Sequence, residues 1–199
     1  MIGSVWLLRH GKPADETRGL CYGSLDVELS TEGIRQAHSA SAALSKQTFG
    51  AIYSSPRRRC WEAARVLAIE RPCQVEIVDA LAEIHFGDFE GRTYDEIALE
   101  HPDLFQQWME RPTEFQFPGG ESLERMWERV TTAARTLRER HSGESIAMVT
   151  HGGVIRILLA EVLGVPPANI FRIAQDYGAI NLVRYFDGTP VVEMVNMTP

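Results

Sequence analysis

Cysteine is scarce and unpatterned in this chain: three residues, Cys21, Cys60 and Cys73, in 199, with no C-x-x-C among them. A disulfide framework needs an even set of thiols and a structural zinc needs paired ligands, so neither is expected. A reducing compartment, the cytoplasm, fits best. Long apolar runs are missing too. No stretch approaches the roughly 18 consecutive apolar residues of a membrane span, and the opening MIGSVWLLRHG reaches charge too early for a secretory signal. Positive charge is in the minority, 20 Lys and Arg against 27 Asp and Glu for a formal net charge of −7. An extended basic face is thereby excluded, and with it nucleic acid and anionic membrane as expected partners. There is no internal repeat, low-complexity tract or Ser/Gly-rich linker.

What remains is an ordinary globular composition, 44% hydrophobic and 24% charged, which predicts a single domain over residues 1–199. Val- and Ile-rich runs predict strands at residues 4–9, 51–54, 75–78, 146–150, 180–186 and 191–195. Helices are predicted between them. Ser30 suits the N-cap of one running to about residue 44, with Ile34, Ala37, Ser41 and Leu44 on one face. A second follows SSP, with Pro56 in its first turn and its end near Glu70. A third spans about 122–141, where Leu123, Met126, Trp127, Val130, Ala134 and Leu137 recur at three-and-four spacing. A fourth, 154–163, is closed by Gly164 and Pro166-Pro167.

Strand then helix, repeatedly, implies an α/β fold of three layers, α/β/α, around a mainly parallel sheet. Residues 84–120 break the rhythm. This aromatic, Pro- and Gly-punctuated insert is expected to form short helices and loops over the carboxyl end of the sheet. Phe86, Phe89, Trp108, Met126 and Trp127 are expected in core or lid packing. His38, His101 and His141 are expected at the surface, and His85 lies close enough to Glu83 to reach its surroundings.

Two histidines occupy the same topological slot. His10 ends the first strand and His151 ends SIAMVTHGG, and each is followed by glycine. Glycine permits close approach to the backbone, and a following helix N-terminus offers N–H groups to an anion. Arg9 precedes His10, and Arg57, Arg58 and Arg59 follow the strand AIYSS, so on a parallel sheet all converge on one rim. Guanidinium forks match phosphate oxygens. Three cations at a helix start oppose its dipole and call for a compensating anion, which a bound phosphate would supply. Each residue alone would read as a hydrogen-bonded loop histidine or a solvated helix start.

Five segments, in order and over most of the chain, resemble the histidine phosphatase superfamily, which also holds the cofactor-dependent phosphoglycerate mutases. They are LLRHG, LDVELSTEGIRQA, YSSPRRRCWEAA, LAEIHFGDFEGRTYDEI and MVTHGGVIR. The resemblance implies a phosphoglycerate mutase-like fold and a phosphoric monoester hydrolase of the histidine acid phosphatase type. It makes His10 the nucleophile, with Arg9, Arg59 and His151 on the phosphoryl oxygens, Gly152 a further backbone contact and Glu83 the proton donor to the leaving oxygen. Arg57 falls where the family usually has leucine. Such chemistry needs no metal or cofactor: neutral imidazole is nucleophilic near pH 7, and two arginines meet the spread charge of phosphoryl transfer.

Where the family's first motif continues with Thr and Asn, this chain has Pro13 and Glu16, and Lys12 puts a cation nearby. GLCYGSLDVELS resembles the Gly-x-Cys-Tyr-Gly-x-x-Asp-x-x-Leu segment of the alpha-ribazole phosphatases, which remove the 5'-phosphate of alpha-ribazole phosphate or of the corresponding cobalamin phosphate in cobalamin biosynthesis. That resemblance implies Lys12, Tyr22, Gly23 and Ser24 at the substrate. The partner expected is thus a small-molecule phosphomonoester. The sequence leaves open a phosphoglycerate mutase, a broad sugar-phosphate phosphatase, a catalytically silent phospho-ligand binding module, and a homodimer.

Overall fold

The structure, a computed structural model, describes residues 2–69 and 71–199. Its centre is strand β1 (Ile2–Arg9), whose side chains alternate between two cores as a pleated strand requires. Val5 and Leu7 enter one core, Trp6 and Leu8 the other. Strand β4 (Ser145–Thr150) repeats the pattern, with Ile146 and Met148 on the first side and Ala147 and Val149 on the second. Strands buried on both faces read as continuous apolar runs, which is why both were visible in the sequence.

Six strands form one sheet in the order β3-β2-β4-β1-β5-β6, with β2 at Ala51–Ser54, β3 at Val75–Ile77, β5 at Ile180–Phe186 and β6 at Thr189–Met197. The first four are parallel; β5 runs antiparallel to β1, and β6 to β5. The sheet is therefore mixed, its parallel part lying where the histidines emerge. Helices α1 (Thr31–Ala43) and α2 (Arg58–Ala68) cover one face, and α5 (Leu123–Arg140) and α6 (Gly152–Leu163) cover the other.

Helix boundaries follow local chemistry. The Ser30 hydroxyl accepts from Gly33 N–H at 3.0 Å to start α1, Ser122 caps α5 in the same way, and left-handed Gly164 (φ 65°) ends α6. Ile34 departs from expectation. It is 47% exposed, and the buried face of α1 is Ala37, Ala40 and Leu44 at its end. Pro56 lies outside α2, whose N-cap is Arg57. The predicted end of that helix at Glu70 lies outside the described residues.

The insert holds two short helices, α3 (Tyr94–Glu100), started by a Thr93–Glu96 capping box, and α4 (Pro102–Glu110), started by its proline. Phe89, Trp108, Phe115 and Phe117 form an aromatic core of their own, joined by Cys21 from the loop after β1. Two histidines expected at the surface are half-buried and have partners: His141 lies between the Tyr53 hydroxyl (2.8 Å) and the Glu144 carboxylate (2.9 Å), and His101 stacks on Phe89. Among the described residues no helix is long and apolar enough to cross a membrane.

Candidate active site

Parallel pairing of β1 with β4 sets Arg9 opposite Thr150, so the next residue of each strand is a histidine at the same level. His10 N–H donates to the Thr150 carbonyl at 3.0 Å, and the two imidazoles meet edge to face with ring centres 5.2 Å apart. Strand β2 adds a third group by the same logic. Ser54 pairs with Val149, and Ser55 emerges beside His151 with its Oγ 2.7 Å from Nε2. Register alone brings these side chains to the carboxyl edge of the sheet, where open α/β folds hold ligands.

Two arginines frame the pair. Arg59 is fully buried; its Nη1 donates to the Leu25 carbonyl at 2.8 Å and its Nη2 to the carbonyls of Tyr22 and Gly23 at 3.1 and 2.9 Å. Arg9 donates to the Gln175 carbonyl and lies 4.0 Å from the centre of the Tyr177 ring, within cation–π range. The Nε atoms of Arg9 and Arg59 are buried without a protein acceptor. A third guanidinium, Arg156, donates from Nε to the Ile173 carbonyl at 2.9 Å, and a Cβ at Gly152 would sit between it (3.0 Å) and Arg9 (3.3 Å).

Burial, then Arg59 and Arg9, hold the His10 imidazolium well below its ordinary range; burial and Arg59 do the same for His151. Both rings are therefore neutral at pH 7. The Gly11 carbonyl, 2.7 Å from His10 Nδ1, can only accept, so the ring proton is assigned to Nδ1 and Nε2 keeps its lone pair. Cys60 lies 3.4 Å from His151 Nε2, but burial pushes its thiol up to about 12, leaving it protonated and inert.

Glu83 lies in the segment after a 3-10 turn at Asp79–Leu81 and turns its carboxylate to the start of α6, two residues past His151. Its Oε2 accepts from Gly153 N–H and its Oε1 from Ile84 N–H, both at 3.0 Å. Gly153 is glycine because a Cβ there would overlap the carboxylate. From α5, Arg129 fixes the segment's backbone, donating to the carbonyls of Ala80 and Ala82 (2.8 Å each) and Glu83 (3.2 Å) while its charge pairs with Glu121.

The other sequence-predicted residues spread more widely. Tyr22 hydrogen-bonds through its hydroxyl to Tyr177 at 2.7 Å, and Tyr177 also packs on His10, with ring centres 5.7 Å apart. Gly23 leaves no room for a side chain against the Ile84 carbonyl, and Ser24 N–H donates to Glu90 at 2.8 Å. Lys12 pairs its ammonium with Asp15 at 2.7 Å, both side chains well exposed. Gly11 is small for packing: a Cβ would overlap the Gly33 carbonyl of α1.

The arginine run divides three ways. Arg59 faces the histidines, and Arg58 turns to Glu28 and Glu62 while its N–H donates to Asp26 at 2.7 Å. Protein carboxylates thus supply much of the compensating charge at the start of α2 that a ligand was expected to bring. Arg57 keeps an unpartnered Nε. Tyr177, Arg156, Gly153, Ser55 and Arg129 were not singled out from the sequence. Arg156, four residues past Gly152 on the same helix face, carried a spacing signal; Tyr177 carried none. Among the described residues, no three His, Cys, Asp or Glu side chains converge as a metal site requires.

The model of the histidine phosphatase superfamily (branch 1) matches residues 5–198. Phosphoglycerate mutase-like protein 4 of Arabidopsis thaliana is 35% identical over 188 residues, covering 92% of this chain and 80% of its own. Phosphoserine phosphatase 1 of Hydrogenobacter thermophilus is 29% identical over 192 residues, covering 96% and 91%. The alpha-ribazole phosphatase of Shigella flexneri superposes with a TM-score of 0.92 at 25% identity, covering 98% of this chain and 96% of its own. The paired histidines, their arginines and the full-length match agree: this chain belongs to branch 1 of the histidine phosphatase superfamily and is a phosphoric monoester hydrolase.

Proposed function

We propose that the chain hydrolyses its substrate through a phosphohistidine at His10, without metal, and that the substrate is alpha-ribazole 5'-phosphate or the corresponding cobalamin 5'-phosphate. The observation that carries the mechanism is the His10 Nδ1–H bond to the Gly11 carbonyl, which leaves a neutral Nε2 lone pair in a pocket of arginines.

The Nε2 lone pair attacks phosphorus as the ester P–O bond breaks, and the leaving oxygen takes the proton of the Glu83 carboxyl. Arg9 and Arg59, with His151, meet the charge spread over the equatorial oxygens, and the N–H of Gly152 at the start of α6 offers one more donor. Glu83, now a carboxylate, takes a proton from water. The hydroxide oxygen bonds to phosphorus, the P–N bond breaks back to Nε2, and inorganic phosphate leaves. Ser55 serves this cycle by holding the His151 ring through the 2.7 Å contact at Nε2.

For the substrate, support comes from the GLCYG loop, whose carbonyls Arg59 gathers and whose Tyr22 hydrogen-bonds to the Tyr177 that packs on His10. The likeness to the Shigella phosphatase over nearly the whole chain supports the same reading. The chain would work as one domain, in the cytoplasm. A second reading, a phosphatase for small carboxylated phosphomonoesters such as phosphoserine, is favoured by a groove beside Glu83 that Arg57 and Arg125 also line.

Steady-state kinetics on alpha-ribazole phosphate, 3-phosphoglycerate, phosphoserine and fructose bisphosphates decide the substrate. A preference of at least about tenfold in kcat/KM for the ribazole ester supports the first reading. Phosphate release should persist in EDTA and vanish in His10→Ala; substantial turnover by that variant would sink the mechanism. Phosphoryl return to 3-phosphoglycerate would identify a mutase, and binding of p-nitrophenyl phosphate without hydrolysis a silent binding module.

A further inference from the structure

From the groove beside Glu83 we infer that, between otherwise matched phosphomonoesters, this enzyme favours the one whose leaving alcohol carries a second oxyanion, held by Arg57 and Arg125. This rests on His10 and Glu83 having the roles proposed above. A group that protonates the leaving oxygen must lie within hydrogen-bond reach of it, so the leaving alcohol stands against Glu83. Glu83 also lines an open cavity of about 320 Å³, walled by Arg57, Arg125, Arg129 and His85. Substituents of the leaving alcohol therefore project into that groove.

Its charges are unequally used. Arg129 is consumed by Glu121 and three backbone carbonyls. Arg57 differs from both neighbours in the run: Arg58 is bound by Glu28 and Glu62 and Arg59 by the loop carbonyls, whereas among the described residues no carboxylate lies within 4 Å of the Arg57 guanidinium, and its half-buried side chain keeps an unpartnered Nε. Arg125, exposed in the first turn of α5, also has no carboxylate partner among the described residues, at a helix end whose dipole disfavours a cation. Asp79 on the rim pairs with neither. Two uncommitted guanidinium groups facing one cavity suit a carboxylate or phosphate, which they can grip bidentately, far better than a neutral alcohol. His85, exposed on the same wall, can add a hydrogen bond.

A carboxylate and a second phosphate share this chemistry, and matched substrates separate them. Phosphoserine against phosphoethanolamine, and 3-phosphoglycerate against glycerol 3-phosphate, test the carboxylate; adenosine 3',5'-bisphosphate against AMP tests a phosphate on the ribose. The cobamide substrate carries a phosphodiester on that ribose and free alpha-ribazole phosphate does not, so the same preference would order those two.

In the purified full chain, the charged member of at least one pair is expected to exceed its partner about 10- to 100-fold in kcat/KM, the range of one charged hydrogen-bonded contact. Arg57→Gln and Arg125→Gln should each reduce that ratio about tenfold, with the loss carried by KM. Arg125 is exposed, so its variant keeps the test open if Arg57→Gln fails to fold. Equal kcat/KM within all three pairs, or ratios unchanged in both variants, would overturn the inference while leaving phosphohistidine hydrolysis standing. Hydrolysis of p-nitrophenyl phosphate that survives His10→Ala would instead remove the reading on which the inference rests.

Discussion

At the rim of the sheet, His10, Arg59 and His151 are between 0% and 2% exposed, and each is held by a protein partner: a carbonyl, a set of loop carbonyls, a serine hydroxyl. In the groove beside it, His85 and Arg125 are exposed, and among the described residues neither Arg57 nor Arg125 forms an ion pair. The first region is fixed before any ligand arrives, as stabilising a transferring phosphoryl group demands. The second consists of long side chains that can adjust to a ligand at the cost of ordering them. Chemistry and selectivity are thus assigned to different materials, strand ends for one and helix and loop surface for the other. Glu83 belongs to both, since it bonds to the first turn of α6 and lines the groove.

Breaking the rim should cost most. Arg59→Ala removes a phosphate ligand and releases the carbonyls of Tyr22, Gly23 and Leu25 together, so kcat/KM on any phosphomonoester should fall at least about 10³-fold, judged against the loss of one transition-state donor. A loss under tenfold would place the phosphate elsewhere. Glu83→Gln should lower kcat about 10²- to 10³-fold on an alkyl phosphate and far less on p-nitrophenyl phosphate, whose leaving group needs no proton. Equal losses on both would deny Glu83 the proton. Gly153→Ala sharpens the division, because its Cβ would displace the Glu83 carboxylate and leave the histidines alone. About a 10²-fold loss with the same leaving-group pattern is expected, with a thermal midpoint close to that of the parent.

The insert offers the contrasting test. Trp108, 7% exposed in the aromatic core with Phe89 and Phe117, should cost about 3–5 kcal/mol of stability as Trp108→Ala, by denaturant titration. Below the unfolding transition, the kcat of that variant on p-nitrophenyl phosphate should stay within a few-fold. A collapse of kcat in folded protein would mean that the insert, and not the sheet, fixes the chemistry.

The smallest expected effect is with pH. Both histidines are held well below the ordinary value of about 6.5, so His10 remains a neutral nucleophile as pH falls through 6.5. The acid limb of kcat/KM should then follow the phosphate ionisation of whichever substrate is used. A limb fixed near 6.5 for every substrate would contradict this. The unfolded chain does take up protons near 6.5 while the native one does not, so stability is full above that pH and declines as pH drops below it.

The rim was legible because β1 and β4 are buried on both faces and so appear as apolar runs, each ending in histidine. Parallel register then does the rest, and Arg59 was reachable by counting from Ser54-Ser55. The antiparallel direction of β5 and β6 was not legible, since alternation marks a strand without its orientation. Tyr177 was missed because it is brought to His10 by a turn 167 residues away in sequence, with no motif around it. The fate of the three arginines also lay beyond sequence. Which carboxylates reach Arg58 depends on where Asp26, Glu28 and Glu62 fall in space.

The most direct test is to trap and locate the phosphoenzyme. Acid-labile, base-stable phosphate should accumulate after rapid mixing with p-nitrophenyl phosphate and quenching in base. It should map to the peptide carrying His10 and be absent from His10→Ala. The hydrogen bond from Nδ1 to Gly11 predicts the phosphoryl group on Nε2. A phosphoryl group on Nδ1, on His151 or on Ser55, or full turnover with no phosphoenzyme at any time, would contradict the account.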